Sequence, residues 1–159
     1  RSQVALGRIL AQNPELLILD DFSLGLDPGY RRLFVDYLRD YARSENKTVF
    51  LTSHIIQDME RLIDDCIIMD YGSILIQQPI ETLMKGLRKY TCTVPEGYQP
   101  QLPVTCYHPA VIRQTLETYS FLPPSDVEGL LKENQVPFTG LQHENVGLED
   151  AFIGLTGKY

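Results

Sequence analysis

The stretch LLILDDFSLGLDP, Leu16 to Pro28, decides how this sequence is read. Leu16 to Leu19 form a continuous apolar run, short for a helix and without the alternation of a half-buried strand. Such a run suits a strand over 16–20 that is covered on both faces, as in a parallel sheet. It ends in two adjacent carboxylates, Asp20 and Asp21. An unpaired charge at the end of a buried strand is costly, so something opposite must offset it. The C-terminal ends of strands are also where open α/β sheets bind ligands. Successive strand residues point to opposite sides, so the two acids can serve different tasks. Mg2+ with its phosphates would answer both acids, because one or two carboxylates commonly hold it together with waters and substrate oxygens.

Working outward, Asp27-Pro28 reads as a helix N-cap followed by proline at the first helical position. The helix carries Tyr30, Leu33, Phe34, Tyr37, Leu38 and Tyr41 at the spacing of one buried face. TVFLT, Thr48 to Thr52, is a second short strand. Ser53-His54 closes it, and a further helix is expected to hold Ile55, Met59, Leu62 and Ile63. If the two strands are parallel, His54 lands at the same sheet edge as Asp20 and Asp21. Its ring can then donate to a γ-phosphate or to an attacking water. CIIMDYGSILIQ, Cys66 to Gln77, reads as a hairpin turning at Tyr71-Gly72. Upstream, residues 2–12 have helical periodicity that Asn13-Pro14 stops. The order α-β-α-β-α-ββ argues for a layered α/β fold. No N-cap precedes the first helix, so residues upstream of Arg1 are expected to belong to the same fold.

The composition changes after Gln78. A short helix is expected over Pro79–Gly86, and a proline-rich loop over Val94–Pro103. Strands are expected near Val104–Tyr107, Leu116–Phe121 and VPFTGLQ, with a helix capped by Ser125 and a terminal helix over Leu148–Leu155. Together these make a small C-terminal α+β appendage. The net charge of −7 over 159 residues argues against a nucleic-acid partner and against direct attachment to an acidic membrane surface. No apolar run approaches bilayer thickness. The three cysteines, Cys66, Cys92 and Cys106, are scattered, which suits a reducing compartment and no zinc site. Cys66 reads as a core residue and the other two as strand residues.

LLILDDFSLGLDP followed by TVFLTSHIIQDMERLIDDCIIMDYGSIL resembles the second half of an ABC-transporter ATP-binding subunit. LLILDD resembles its Walker B strand, SLGLDP its D-loop and LTSH its switch-histidine strand. RSQVALGRIL resembles the helix after the family's signature motif, and NVGLEDAFIGLTGKY the close of ATPases serving ABC-2-type drug exporters. The resemblance implies a partial P-loop NTPase fold with a layered parallel sheet. Residues 1–78 would be the C-terminal half of the ATPase core and 79–159 an accessory extension. It places Asp20 at Mg2+ through a water, Asp21 at the catalytic carboxylate and His54 at the switch. Ser23, Leu24, Gly25, Leu26 and Asp27 take the D-loop position, facing nucleotide and a second ATP-binding subunit across a dimer interface.

The chain departs from the family at Asp21, where the family has glutamate. No GxxxxGK[ST], Q-loop or signature core occurs in these residues, so the chain alone is expected to be inactive. The resemblance implies ATP and Mg2+ as ligands, a separate membrane permease as partner, export as the direction and a position at the inner face of the plasma membrane. Two other functions fit the same motifs: a non-hydrolysing regulatory or dimerisation module, and a soluble ABC ATPase.

Overall fold

The computed structural model describes residues 2–21, 25–57 and 59–157. It is mixed α/β with small sheets and divides into two compact units at Ile63/Asp64. The sequence puts its compositional boundary later, after Gln78.

The first unit opens with α1 (Ser2–Leu10). Asn13 takes a left-handed conformation before Pro14 and turns the chain into β1 (Leu16–Asp20). Helix α2 (Pro28–Ser44) follows, then β2 (Thr48–Thr52). β1 and β2 pair in parallel, in register from Leu16 opposite Thr48 to Asp20 opposite Thr52. The N-cap reading of Asp27 holds, since its Oδ1 accepts from the Gly29 and Tyr30 amides at 3.0 and 3.1 Å. Asn13 also anchors the far end of α2: Tyr41 Oη donates to its Oδ1 at 3.1 Å, and Lys47 Nζ to its carbonyl at 3.4 Å.

Three expectations need correction here. β1 is not covered on both faces by the described residues: Leu17 and Leu19 are buried, whereas Ile18 is 68% exposed. On β2 its register partner Phe50 is exposed too, so one face of the pair is an open apolar surface. A continuous apolar run reports β preference but cannot say what lies above each face. In α2 the buried residues are Val35 and Leu38, while Tyr30, Leu33 and Tyr37 are exposed. These three line an open apolar groove of about 600 Å³ with Gly7, Leu10 and Leu26. Finally, the helix expected over Ile55–Ile63 is only a 3-10 turn, Met59–Arg61. Ser53 Oγ accepts from the Ile55 amide at 3.0 Å and donates to the Ile55 carbonyl at 3.1 Å. That local bonding competes with helix formation.

The second unit begins with the antiparallel hairpin β3 (Asp65–Asp70) and β4 (Ser73–Pro79). It turns at Tyr71-Gly72 as expected, with both residues at positive φ. α3 (Ile80–Gly86) leads into β5 (Arg88–Thr93), which the sequence reading missed apart from placing Cys92 in a strand. β6 (Tyr107–Ile112), β7 (Thr115–Ser120) and β8 (Thr139–Asn145) complete an antiparallel sheet ordered β6-β7-β5-β8. β6 starts later than expected, so Cys106 ends the preceding loop instead of lying in a strand. An edge position lets β6 hold Pro109, beside a bulge where His108 takes a positive φ.

α4 (Pro124–Glu133) and α5 (Leu148–Thr156) complete this unit. α4 is capped at Pro123, not Ser125, because Pro124 takes the first helical position, two residues earlier than a Ser125 cap would allow. Ser125 lies inside the helix and donates to Asp126 Oδ1 at 2.9 Å. The core joins Tyr90, Cys92, Val94 and Leu116 to Val127, Leu131 and Val136. Tyr90 Oη donates to the Leu122 carbonyl at 2.6 Å. Burial raises the thiol pKa of Cys66, Cys92 and Cys106, which suits packed, unreactive cysteines.

Candidate functional site

Parallel pairing brings the two strand ends together. Asp20 is the last residue of β1 and lies directly opposite Thr52, the last residue of β2. Asp21 leaves the strand at φ 45°, a left-handed conformation that aspartate tolerates better than most residues. Its amide donates to both the carbonyl and the Oγ1 of Thr52, at 3.1 and 3.0 Å. Thr52 Oγ1 in turn donates to Asp20 Oδ1. Two residues further on, His54 Nδ1 lies 2.8 Å from Asp21 Oδ1. In this contact the carboxylate oxygen is the acceptor when Nδ1 bears the hydrogen.

Asp20, Asp21 and His54 therefore form one cluster, as the strand order suggested. It is an open cluster: the His54 side chain is 60% exposed and that of Asp21 34%. Gly25 sits in the turn that follows at φ 80°, and Leu26 is half-buried. Asp27 stands apart from the cluster in its bonding, since the contacts of its Oδ1 are to the α2 amides. Ser23 and Leu24 lie outside the described residues. Sequence reasoning missed Thr52, although pairing the ends of the two strands in register would have placed it against Asp20.

The carboxylates offer oxygen ligands only. Among the described residues, no group of three or more His, Cys, Asp or Glu is placed to hold a metal ion. This donor set fits Mg2+, which is usually held by one or two carboxylates and fills its remaining positions with waters and phosphates. It does not fit a cation caged by protein ligands alone. Among the described residues, no helix is long and apolar enough to cross a membrane.

No profile of a known protein family matches the chain. Individual proteins do. The Nod factor export ATP-binding protein I of Ralstonia nicotianae is 31% identical over 169 residues, spanning 99% of this chain and 51% of that protein. Its namesake in Burkholderia orbicola is 28% identical over 99% of the chain. The energy-coupling factor transporter ATP-binding protein EcfA2 of Clostridioides difficile is 39% identical over 46% of the chain. This chain is homologous to ABC-transporter ATP-binding subunits. It spans about half the length of these export ATP-binding proteins. The similarity to ABC-transporter subunits therefore runs through both compact units, and the C-terminal sheet shares in it.

Proposed function

We propose that these residues are the Walker B, D-loop and switch portion of an ABC-transporter ATP-binding subunit, together with its C-terminal extension. β1 and β2 are then neighbouring strands of a larger layered parallel sheet, and the open apolar face at Ile18 and Phe50 is covered in the whole subunit. Residues 1–78 belong to the ATPase core and 79–159 are accessory. The observation that carries this reading is the cluster of Asp20, Asp21 and His54 at the ends of two parallel strands.

Mg2+, when bound, offsets the charge of the β- and γ-phosphates. Asp20, at the end of β1, would hold it through a water. Asp21 polarises the attacking water, and ADP and phosphate are the products. His54 contacts the γ-phosphate. With Nδ1–H directed at Asp21, a neutral ring presents Nε2 as an acceptor. Donation from Nε2 to a phosphate therefore requires either a doubly protonated ring or the release of Asp21. Ser23, Leu24, Gly25, Leu26 and Asp27 meet nucleotide and a second ATP-binding subunit, and Asp27 also caps α2. Hydrolysis drives transport through a separate membrane permease, with the subunit peripheral to the inner face of the plasma membrane. Export is favoured because the three relatives matched over 99% of the chain are named for export. Their cargo is not transferred to this chain.

A second reading, a non-hydrolysing regulatory module, is favoured by the short Asp21 side chain and its existing bond to His54. Calorimetry with Mg-ATP tests the first reading. The whole subunit is expected to bind with micromolar affinity, and residues 1–159 alone far more weakly, since no GxxxxGK[ST] cradle occurs in them. Micromolar binding by residues 1–159 would overturn the division of labour. No binding by the whole subunit would overturn the function.

A further inference from the structure

We infer that Thr52 is a positioning residue whose one hydroxyl sets the metal-side carboxylate of Asp20 while holding the backbone of the catalytic acid Asp21. This rests on the proposed role of Asp20 toward Mg2+. The Thr52 hydroxyl accepts from the Asp21 amide at 3.0 Å and donates to Asp20 Oδ1. Its single proton is thus committed to Asp20, which fixes the direction of the chain of bonds: Asp21 amide to Thr52 to Asp20. Among the described residues, no other side chain is seen to bond both acids.

Two consequences follow from this arrangement. Asp20 Oδ1 is engaged by a neutral donor that leaves the charge of the carboxylate intact. A carboxylate has about four lone-pair sites, so it retains capacity for a metal-bound water while its rotation is restricted. Meanwhile Asp21, at φ 45°, is held where its carboxylate meets His54. Partners behind a direct metal ligand orient it, and their loss typically weakens metal binding by about 10- to 100-fold; Asp20 acts through a water, so the effect of losing Thr52 falls at the low end of that range.

The test uses the whole subunit and a readout that needs no turnover. Binding of a fluorescent ATP analogue is followed as Mg2+ is titrated. Thr52→Val keeps the shape and β preference of the side chain but removes the hydroxyl, and it leaves the Asp21 amide its bond to the Thr52 carbonyl. We expect the half-saturating Mg2+ concentration to rise about tenfold in Thr52→Val. Thr52→Ser, which restores the hydroxyl, should stay within about twofold of wild type. A Thr52→Val subunit with wild-type Mg2+ dependence overturns the inference, whether or not its melting temperature falls. So does an equal loss in Thr52→Ser, which would trace the effect to packing. Asp20→Asn separates this failure from that of the underlying reading. If Asp20→Asn shifts the titration and Thr52→Val does not, only the role of Thr52 falls. If Asp20→Asn leaves it unchanged, Asp20 is not the metal-side acid and both claims fall.

Discussion

Replacing Asp21 with Asn is expected to lower steady-state ATP hydrolysis by the whole subunit about 10²- to 10⁴-fold, the range for losing a positioned general base. Asn keeps the size and the backbone turn but cannot draw a proton from water. Asp21 Oδ1 sits 2.8 Å from His54 Nδ1, so Asn also replaces a charge-assisted contact with a neutral one. Asp21→Glu should behave oppositely. The extra methylene advances the carboxylate by roughly 1 Å, and misplacement on that scale can cost about a hundredfold. Turnover in Asp21→Glu should therefore equal or exceed wild type. Phosphate release at saturating Mg-ATP measures both variants. An Asn variant with unchanged turnover would remove Asp21 from the mechanism.

Tyr90→Ala is expected to destabilise the second unit by about 3–5 kcal/mol, the cost of removing a buried aromatic side chain. Tyr90 is 1% exposed and packs in the cluster formed by β5, β7 and α4. Its hydroxyl also satisfies the Leu122 carbonyl. Tyr90→Phe keeps the ring and loses only that bond, so it should cost about 1 kcal/mol. Domains of this size are stable by roughly 5–15 kcal/mol, so the Ala variant should be substantially unfolded in dilute urea. Urea titration followed by circular dichroism reads the difference. Equal midpoints for Ala and Phe would show that the ring is not part of a packed core.

The local elements near the site were legible because their signals are local. The Asp27-Pro28 cap, the two short strands and the Tyr71-Gly72 turn each depend on neighbouring residues. Parallel pairing of the two strands is enough to bring Asp20, Asp21 and His54 to one sheet edge. Sidedness was not legible. LLIL looks the same whether one or both faces are covered, and the tyrosines of α2 follow a helical stripe that is in fact split between buried and exposed sides. β5 was hidden because RKYTCT buries only Tyr90 and Cys92, and its charged start reads as a loop. Pro109 similarly obscured β6, whose edge position tolerates it. Thr52 has no signal of its own as a threonine in a strand. Its meaning comes from the residue across the ladder, which only register supplies.

The central claim is that a magnesium nucleotide meets the ends of β1 and β2. A crystal structure of the whole subunit with Mn2+ and a non-hydrolysable ATP analogue tests it most directly. The anomalous signal of Mn2+ should lie within about 5 Å of the Asp20 carboxylate, the reach of one bridging water, with the γ-phosphate against His54. A metal and γ-phosphate bound elsewhere, with Asp20, Asp21 and His54 unmoved and facing solvent, would contradict it.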